Sequence, residues 1–181
     1  MTESREIRLF EEGHPASDLM LEWRDGLKEN KGDRAELRRC KNLEEIQMSS
    51  AYQRCYWQLI KHFPLEQRSP SREQMATVIG LAAHIEEDDA QRKDDQSDGQ
   101  AHDFFAYQIS RGDKPKLSEM RFRQLLRIRD RARLYRFFIQ VIRILERKVS
   151  VLDLLSIAYY WGDSAKTNQS YKYYEKANLE K

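Results

Sequence analysis

Between Arg111 and Lys148 the chain carries thirteen Lys or Arg against four Asp or Glu, a local formal charge of +9 (13 − 4) in a protein that sums to only +2. Most of these bases are arginines, whose planar guanidinium meets the oxygens of a phosphate with two parallel hydrogen bonds. That much charge on a near-neutral chain points to one polyanion site rather than to general adhesion, and nucleic acid is the first partner to consider. Arg127 and Arg131 lie four apart, as do Arg129 and Arg133, which puts each pair on one face if a helix runs through Ile128–Asp130. Arg136, Arg143 and Arg147 share the polar face of the helix that follows. Guanidiniums so spaced would follow a sugar-phosphate strand, gaining affinity from counterion release without reading bases. The competing reading is a solvated face paired with carboxylates. Acids within the segment are too few for that, unless the acidic run Glu86–Asp98 folds back onto it.

Arg34, Arg38 and Arg39 form a smaller basic group at i, i+4, i+5, with Lys41 beyond. By itself this spacing describes an exposed helix face. Beside the first cluster, it suggests two basic faces lining one groove.

Other chemistry is thinly represented. His84, Glu87 and Asp88 fall at i, i+3, i+4, with His102 and Asp103 after the acidic run, and a divalent metal takes such ligands. No paired Glu-x-x-His motif accompanies them, so the expectation is no metal and no cofactor. GxxxxGK[ST], GxGxxG, GxSxG and HExxH are all lacking, which argues against an enzyme. Cys40 and Cys55 form neither a CxxC pair nor a disulfide framework and are expected to pack in helices. Tyr159, Tyr160, Trp161, Tyr171, Tyr173 and Tyr174 crowd the C-terminal region. Bases stack on such rings at about 1–3 kcal/mol each, but core packing or a protein interface is their commoner use.

The elements that must carry these groups are helical. Leu19, Trp23 and Leu27 recur at i, i+4, i+8 behind Ser17 as N-cap. Asn30-Lys31-Gly32-Asp33 breaks that helix, and Asp33 is expected to cap a second, Arg34 to Leu43. A third runs near Ser50 to Phe63, ended by Pro64, Ser69 and Pro70. Ser71 with Gln74 reads as a capping box for a fourth, Arg72 to about Ile85. Glu86–Gly99 is acidic, has no large apolar residue and reads as a loop or linker. Further helices are expected around Ala101 to Ile109 and from Ser118 through Phe122, Leu125 and Leu126. The clearest starts at Asp130, where Leu134, Phe137, Phe138, Val141, Ile142 and Leu145 form one apolar stripe. Ser150 with Asp153 resembles a capping box for a helix that Gly162 stops, and a Tyr-rich helix closes the chain from Lys166 to Ala177.

The predicted fold is all-α, two small helical bundles. An N-terminal bundle covers 1–86, an acidic linker or loop 87–99, and a C-terminal bundle with the basic face 100–181. A length of 181 residues supports such a core without staples, and seven glycines with four prolines are too few for the turns of a β-sandwich. The opening MTESREIRLFEEG has no apolar run of signal-peptide length and no later stretch reaches transmembrane length, so the expected location is the cytoplasm, with no membrane partner.

The order of the motifs resembles one family. Trp23, Leu27 and Gly32 precede Asp33-Arg34-Ala35-Glu36-Leu37-Arg38-Arg39, an AxLRR helix. Much later Ser118-Glu119-Met120-Arg121-Phe122-Arg123-Gln124-Leu125-Leu126 forms an SExRFxxLL helix, followed by an apolar helix and Tyr160-Trp161-Gly162. Over about Met20 to Gly162 this series is similar to the CasB family, the small subunit of Cascade, the type I-E CRISPR surveillance complex. The resemblance implies an all-α, non-catalytic subunit with N- and C-terminal bundles. It implies two copies of the chain packed head to tail, beside the backbone and large subunits. Their basic surfaces would hold the hybrid of guide RNA and target DNA, and the displaced strand, in antiviral defence without reading sequence. The motifs point to Arg38 and Arg39, and to Arg121 with Arg127 and Arg131 just after it. Helix geometry adds Arg34, Arg136 and Arg143. Relatives carry several bases and a second Trp soon after the Trp-Gly pair, where this chain has Asp163, Ser164, Ala165 and then Asn168-Gln169. Lys166 is the base left to make a contact there.

Two rivals make different demands. A free-standing helical regulator of duplex DNA needs a short turn and then a recognition helix with base-reading side chains. Asp130 between two Arg-rich helices mimics the turn, but no Asn, Gln or Ser set projects from the helix after it. A metal-dependent nuclease would use His84, Glu87, Asp88 and His102.

Overall fold

The computed structural model describes residues 8–63, 70–89, 104–110 and 114–179. Ten α-helices among them carry the fold: α1 (Pro15–Glu29), α2 (Lys31–Arg39), α3 (Leu43–Met48), α4 (Ser50–Leu59), α5 (Arg72–Ala82), α6 (Phe104–Ser110), α7 (Glu119–Leu126), α8 (Arg131–Ile144), α9 (Val151–Tyr159) and α10 (Asp163–Leu179). One short parallel pair joins β1 (Glu87–Asp88) to β2 (Lys148–Val149). None of these helices is long and apolar enough to cross a membrane. Most of the acidic run, His102, Asp103 and residues 111–113 lie outside the described residues.

Helix α5 occupies the middle. Every residue from Met75 to Ala82 is buried, so the helix is enclosed on all sides, and it packs against α3, α4, α8 and α9. Gly80 is what lets its neighbours come so close. A Cβ there would stand 2.7 Å from Ile46 Cδ1 and 3.0 Å from Tyr135 Cε2. Glycine costs about 1 kcal/mol against alanine inside a helix, a cost this close packing offsets. Buried side chains from both predicted halves, among them Leu37, Ile46, Phe122, Phe138 and Leu154, join in one continuous core. At its far end Tyr173 stacks on Phe122 with centroids 4.0 Å apart, and its hydroxyl donates to Leu117 O at 2.7 Å. Tyr159 and Trp161 are also buried, whereas Tyr171 is exposed. Cys55 is buried beside the Met20 sulfur, and the Cys40 thiol donates to Glu36 O at 3.3 Å.

Several helix starts differ from expectation, each for a local reason. α1 begins at Pro15, which has no N–H to orphan, with the His14 ring accepting from Ala16 N–H. Ser17 therefore lies inside the helix and donates to Glu11 O at 2.6 Å. Asn30 rather than Asp33 caps α2, accepting from Asp33 N–H at 3.2 Å, while Asp33 pairs with Arg54 at 2.6 Å. The short α3, capped by Asn42, was not expected. Gln74 does not close a box on Ser71; it donates to Tyr159 O at 2.8 Å. At α9 the Ser150 hydroxyl donates to Asp153, and Asp88 accepts from Val151 N–H at 3.1 Å. The caps at Ser118 and Asp130 form as expected, accepting from Arg121 and Arg133 N–H.

His84, just past α5, is buried with its Nε2 3.4 Å from the Tyr135 hydroxyl. Burial, and then the positive charges of Arg38, Arg143, Arg147 and Arg34, push its pKa down to about 4. The unfolded chain therefore binds a proton near pH 6.5 that the folded chain refuses until about pH 4. The resulting stability is fully present above pH 6.5 and falls as the pH drops through that window, by about 3 kcal/mol in all.

Two outcomes are expected. Gly80→Val should lower stability by about 1–3 kcal/mol by forcing Tyr135 aside, read as a lower denaturation midpoint at unchanged m-value. Melting curves from pH 7 to pH 4 should lose much of their slope in His84→Phe. An unaltered slope would show that His84 titrates normally in the folded protein.

Candidate nucleic-acid interface

The end of α8 helps build a cluster of charged side chains. Glu146 N–H donates to Arg143 O at 3.0 Å and Arg147 N–H to Ile142 O at 2.8 Å, the paired bonds of a Schellman ending. Both Glu146 (φ 56°) and Arg147 (φ 62°) occupy the left-handed region without being glycine, at a cost on the order of 1 kcal/mol or more each. The turn sends Lys148–Val149 alongside Glu87–Asp88, and Arg147 O accepts from both Glu86 N–H (2.9 Å) and Glu87 N–H (3.2 Å). Arg147 is thereby fixed beside Glu86. From the other side, α2 presents Arg34 and Arg38.

All three guanidiniums meet one carboxylate oxygen. Glu86 Oε1 accepts from Arg34 at 3.1 Å and from Arg147 in a closer bond, and it stands 3.8 Å from Arg38. Arg24 of α1, only 4% exposed, donates to the Glu86 carbonyl at 3.3 Å and pairs with Asp25 at 3.1 Å. The two basic groups read separately in the sequence are thus neighbours across Glu86. The Arg147 hydrogen bond, aided by Arg34 and Arg38, holds the Glu86 carboxyl below the usual range despite some opposing desolvation. Arg38 is lowered by burial first, then by Arg147 and Arg34, with Arg143 adding to them against Glu86. Three guanidiniums (Arg34, Arg38 and Arg147) face one carboxylate, and Arg143 adds its positive charge at Arg38. Among the described residues of the acidic run, Glu86 offsets part of this charge and Glu87 pairs with Lys148.

The remaining expected residues divide by exposure. Arg121, Arg127, Arg136 and Arg143 are exposed, as are Arg129 and Arg133, and among the described residues none of the six has an acidic partner. Arg39 is exposed, with its Nε donating to Ala35 O at 3.0 Å. Lys166 is half-buried with its ammonium 5.7 Å from the centre of the Trp161 ring. Arg131 is turned inward. It donates to Ala158 O, to Tyr159 O at 3.2 Å and to Trp161 O at 3.3 Å, binding the carbonyls that α9 leaves open at its C-terminus. Nor does Arg131 share a face with Arg127, because α7 stops at Leu126 and residues 127–130 connect it to α8. The Trp161 indole holds that connection by donating to Ile128 O at 3.0 Å.

The trio considered for a metal does not converge. His84 faces Tyr135, Glu87 pairs with Lys148 at 3.0 Å, and Asp88 serves the α9 terminus. The residues that sequence reasoning missed are Glu86, read only as the start of an acidic run, and Arg24. Arg147 was seen on the polar face, but its place beside α2 depends on left-handed backbone that no residue type there announces.

A family model for the CRISPR-associated protein Cse2 matches residues 33–174. No curated protein and no solved structure gives a match. The matched span contains the Arg38-Arg39 pair of α2, the arginines of α7 and α8, Glu86 and the closing Tyr173-Tyr174. The chain belongs to the Cse2 family, the non-catalytic small subunits of the type I-E CRISPR complex Cascade.

Proposed function

We propose that within Cascade this subunit holds nucleic-acid backbone on the surface where α2 meets the end of α8. It would steady the hybrid of guide RNA and target DNA and the displaced strand. One observation carries the reading: α2 and the turn after α8 bring Arg34, Arg38 and Arg147 together on Glu86 with the charge of Arg143 felt at Arg38, while Arg121, Arg127, Arg129, Arg133 and Arg136 are exposed without acidic partners among the described residues. Guanidiniums that lack acids are available to phosphates, and contacts of that kind are blind to sequence. The residues N-terminal to Glu86 supply one side of this surface and the C-terminal half supplies the other. Arg38, Arg39, Arg121, Arg127, Arg136 and Arg143 are the residues assigned to backbone contacts, with Lys166 at the edge of the set. Arg131 is assigned to positioning, since its donors face the end of α9. Backbone and large subunits, and a second copy of the chain, complete the assembly in this reading.

Replacing both Arg136 and Arg143 with Glu should weaken binding to single strands and to RNA–DNA hybrids by about tenfold at moderate salt. The loss should be uniform across sequences, and the slope of log K against log salt should become shallower by about 1–2. Fluorescence anisotropy over a salt series measures both. Unchanged affinity for single strands and hybrids alike would overturn the assignment.

A further inference from the structure

The carboxylate at the centre of the arginine cluster is placed as a ligand would be. Three guanidiniums from two distant parts of the chain converge on Glu86 Oε1, from Arg34 and Arg38 of α2 and from Arg147 after α8. Convergence of several arginines on one oxygen is the geometry with which proteins take a phosphate. The backbone of Glu86 is held independently of that carboxylate. Its N–H donates to Arg147 O at 2.9 Å, its carbonyl accepts from Arg24 at 3.3 Å, and the β1–β2 pair begins at the next residue. The side chain is 41% exposed, so it can swing to solvent without disturbing the strand. Two of the arginines have anchors of their own: Arg34 Nε also donates to Ala83 O at 3.4 Å, and the Arg147 backbone is set by the Schellman ending.

We propose that Arg34, Arg38 and Arg147 form a seat for one backbone phosphate, and that Glu86 occupies it until a nucleic-acid strand takes its place. The exchange rests on the backbone-binding reading above. It is a one-for-one replacement of anions. A phosphodiester oxygen takes over the guanidinium bonds of Oε1, the carboxylate turns to water, and the cluster keeps its compensating charge throughout. Glu86 thereby keeps the arginines mutually tolerable in the free protein and sets a threshold against weak anions.

The test uses the full chain and single-stranded oligothymidylate. Glu86→Gln removes the competing charge while keeping shape, and binding should tighten about two- to fivefold, the scale of one exposed ion pair. Adding Arg147→Gln should erase that gain. Unchanged or weaker binding by a folded Glu86→Gln protein overturns the exchange. If the variant melts early, the wild type supplies a second readout: the 13C carboxyl resonance of Glu86 should move as oligothymidylate saturates the protein, and a stationary resonance overturns the proposal. The two readings fail separately. If charge reversal at Arg136 and Arg143 weakens binding but Glu86→Gln does not tighten it, only the exchange is lost.

Discussion

The enclosure of α5 is the constraint on which the rest depends. A helix buried from Met75 to Ala82 can sit only where four neighbours surround it, and Gly80 sets how near α3 and α8 can come. Because α5 cannot shift, the chain leaving it at Ala83 has a fixed exit. His84 lands against Tyr135 of α8, Ile85 is buried, and Glu86 emerges opposite α2. The core thus decides the position of a surface carboxylate 61 residues from Arg147, the arginine after α8 that it binds.

The arginine cluster is imposed by this framework and does not hold itself together. Exposed ion pairs are worth only about 0.2–1 kcal/mol each, and the four guanidiniums repel one another. What keeps them close is apolar burial below, the backbone bonds from Glu86 and Glu87 to Arg147 O, and a Schellman ending stable enough to hold two non-glycine residues left-handed. Such a site is organised before any ligand arrives, so little ordering of the arginines remains to be done on binding. The inward-facing Arg131 belongs to the same logic. By closing the end of α9, with Gln74 on the same Tyr159 carbonyl, it joins α5, α8 and α9.

Local signals in the sequence were reliable only in part: Ser17 and Asp33 do not cap their helices and Ser71 with Gln74 forms no capping box, while distant partners did not register at all. The apolar stripe of α8 and the caps at Ser118 and Asp130 were legible because partner and acceptor lie within one turn. The family motifs were legible for a similar reason, since they are strings of neighbours. Inward rotation of Arg131 was not, because its acceptors lie 27 to 30 residues away and nothing near it marks a buried guanidinium. The separate helices expected from Ser118 and from Asp130 do form, and the break at Arg127–Asp130 removes the shared face that a continuous helix would have given Arg127 and Arg131. Glu86, the first residue of the acidic run, does pair with the bases. What sequence could not supply was the count of arginines converging there.

The most direct test of the account is where the α8 surface lies when the assembled type I-E complex holds its target. With p-benzoylphenylalanine in place of Arg136, irradiation of an R-loop complex should give adducts to DNA or guide RNA, at yields indifferent to target sequence. Adducts to neighbouring protein subunits alone would contradict it, making this surface a protein interface and leaving the arginines without the strand assigned to them.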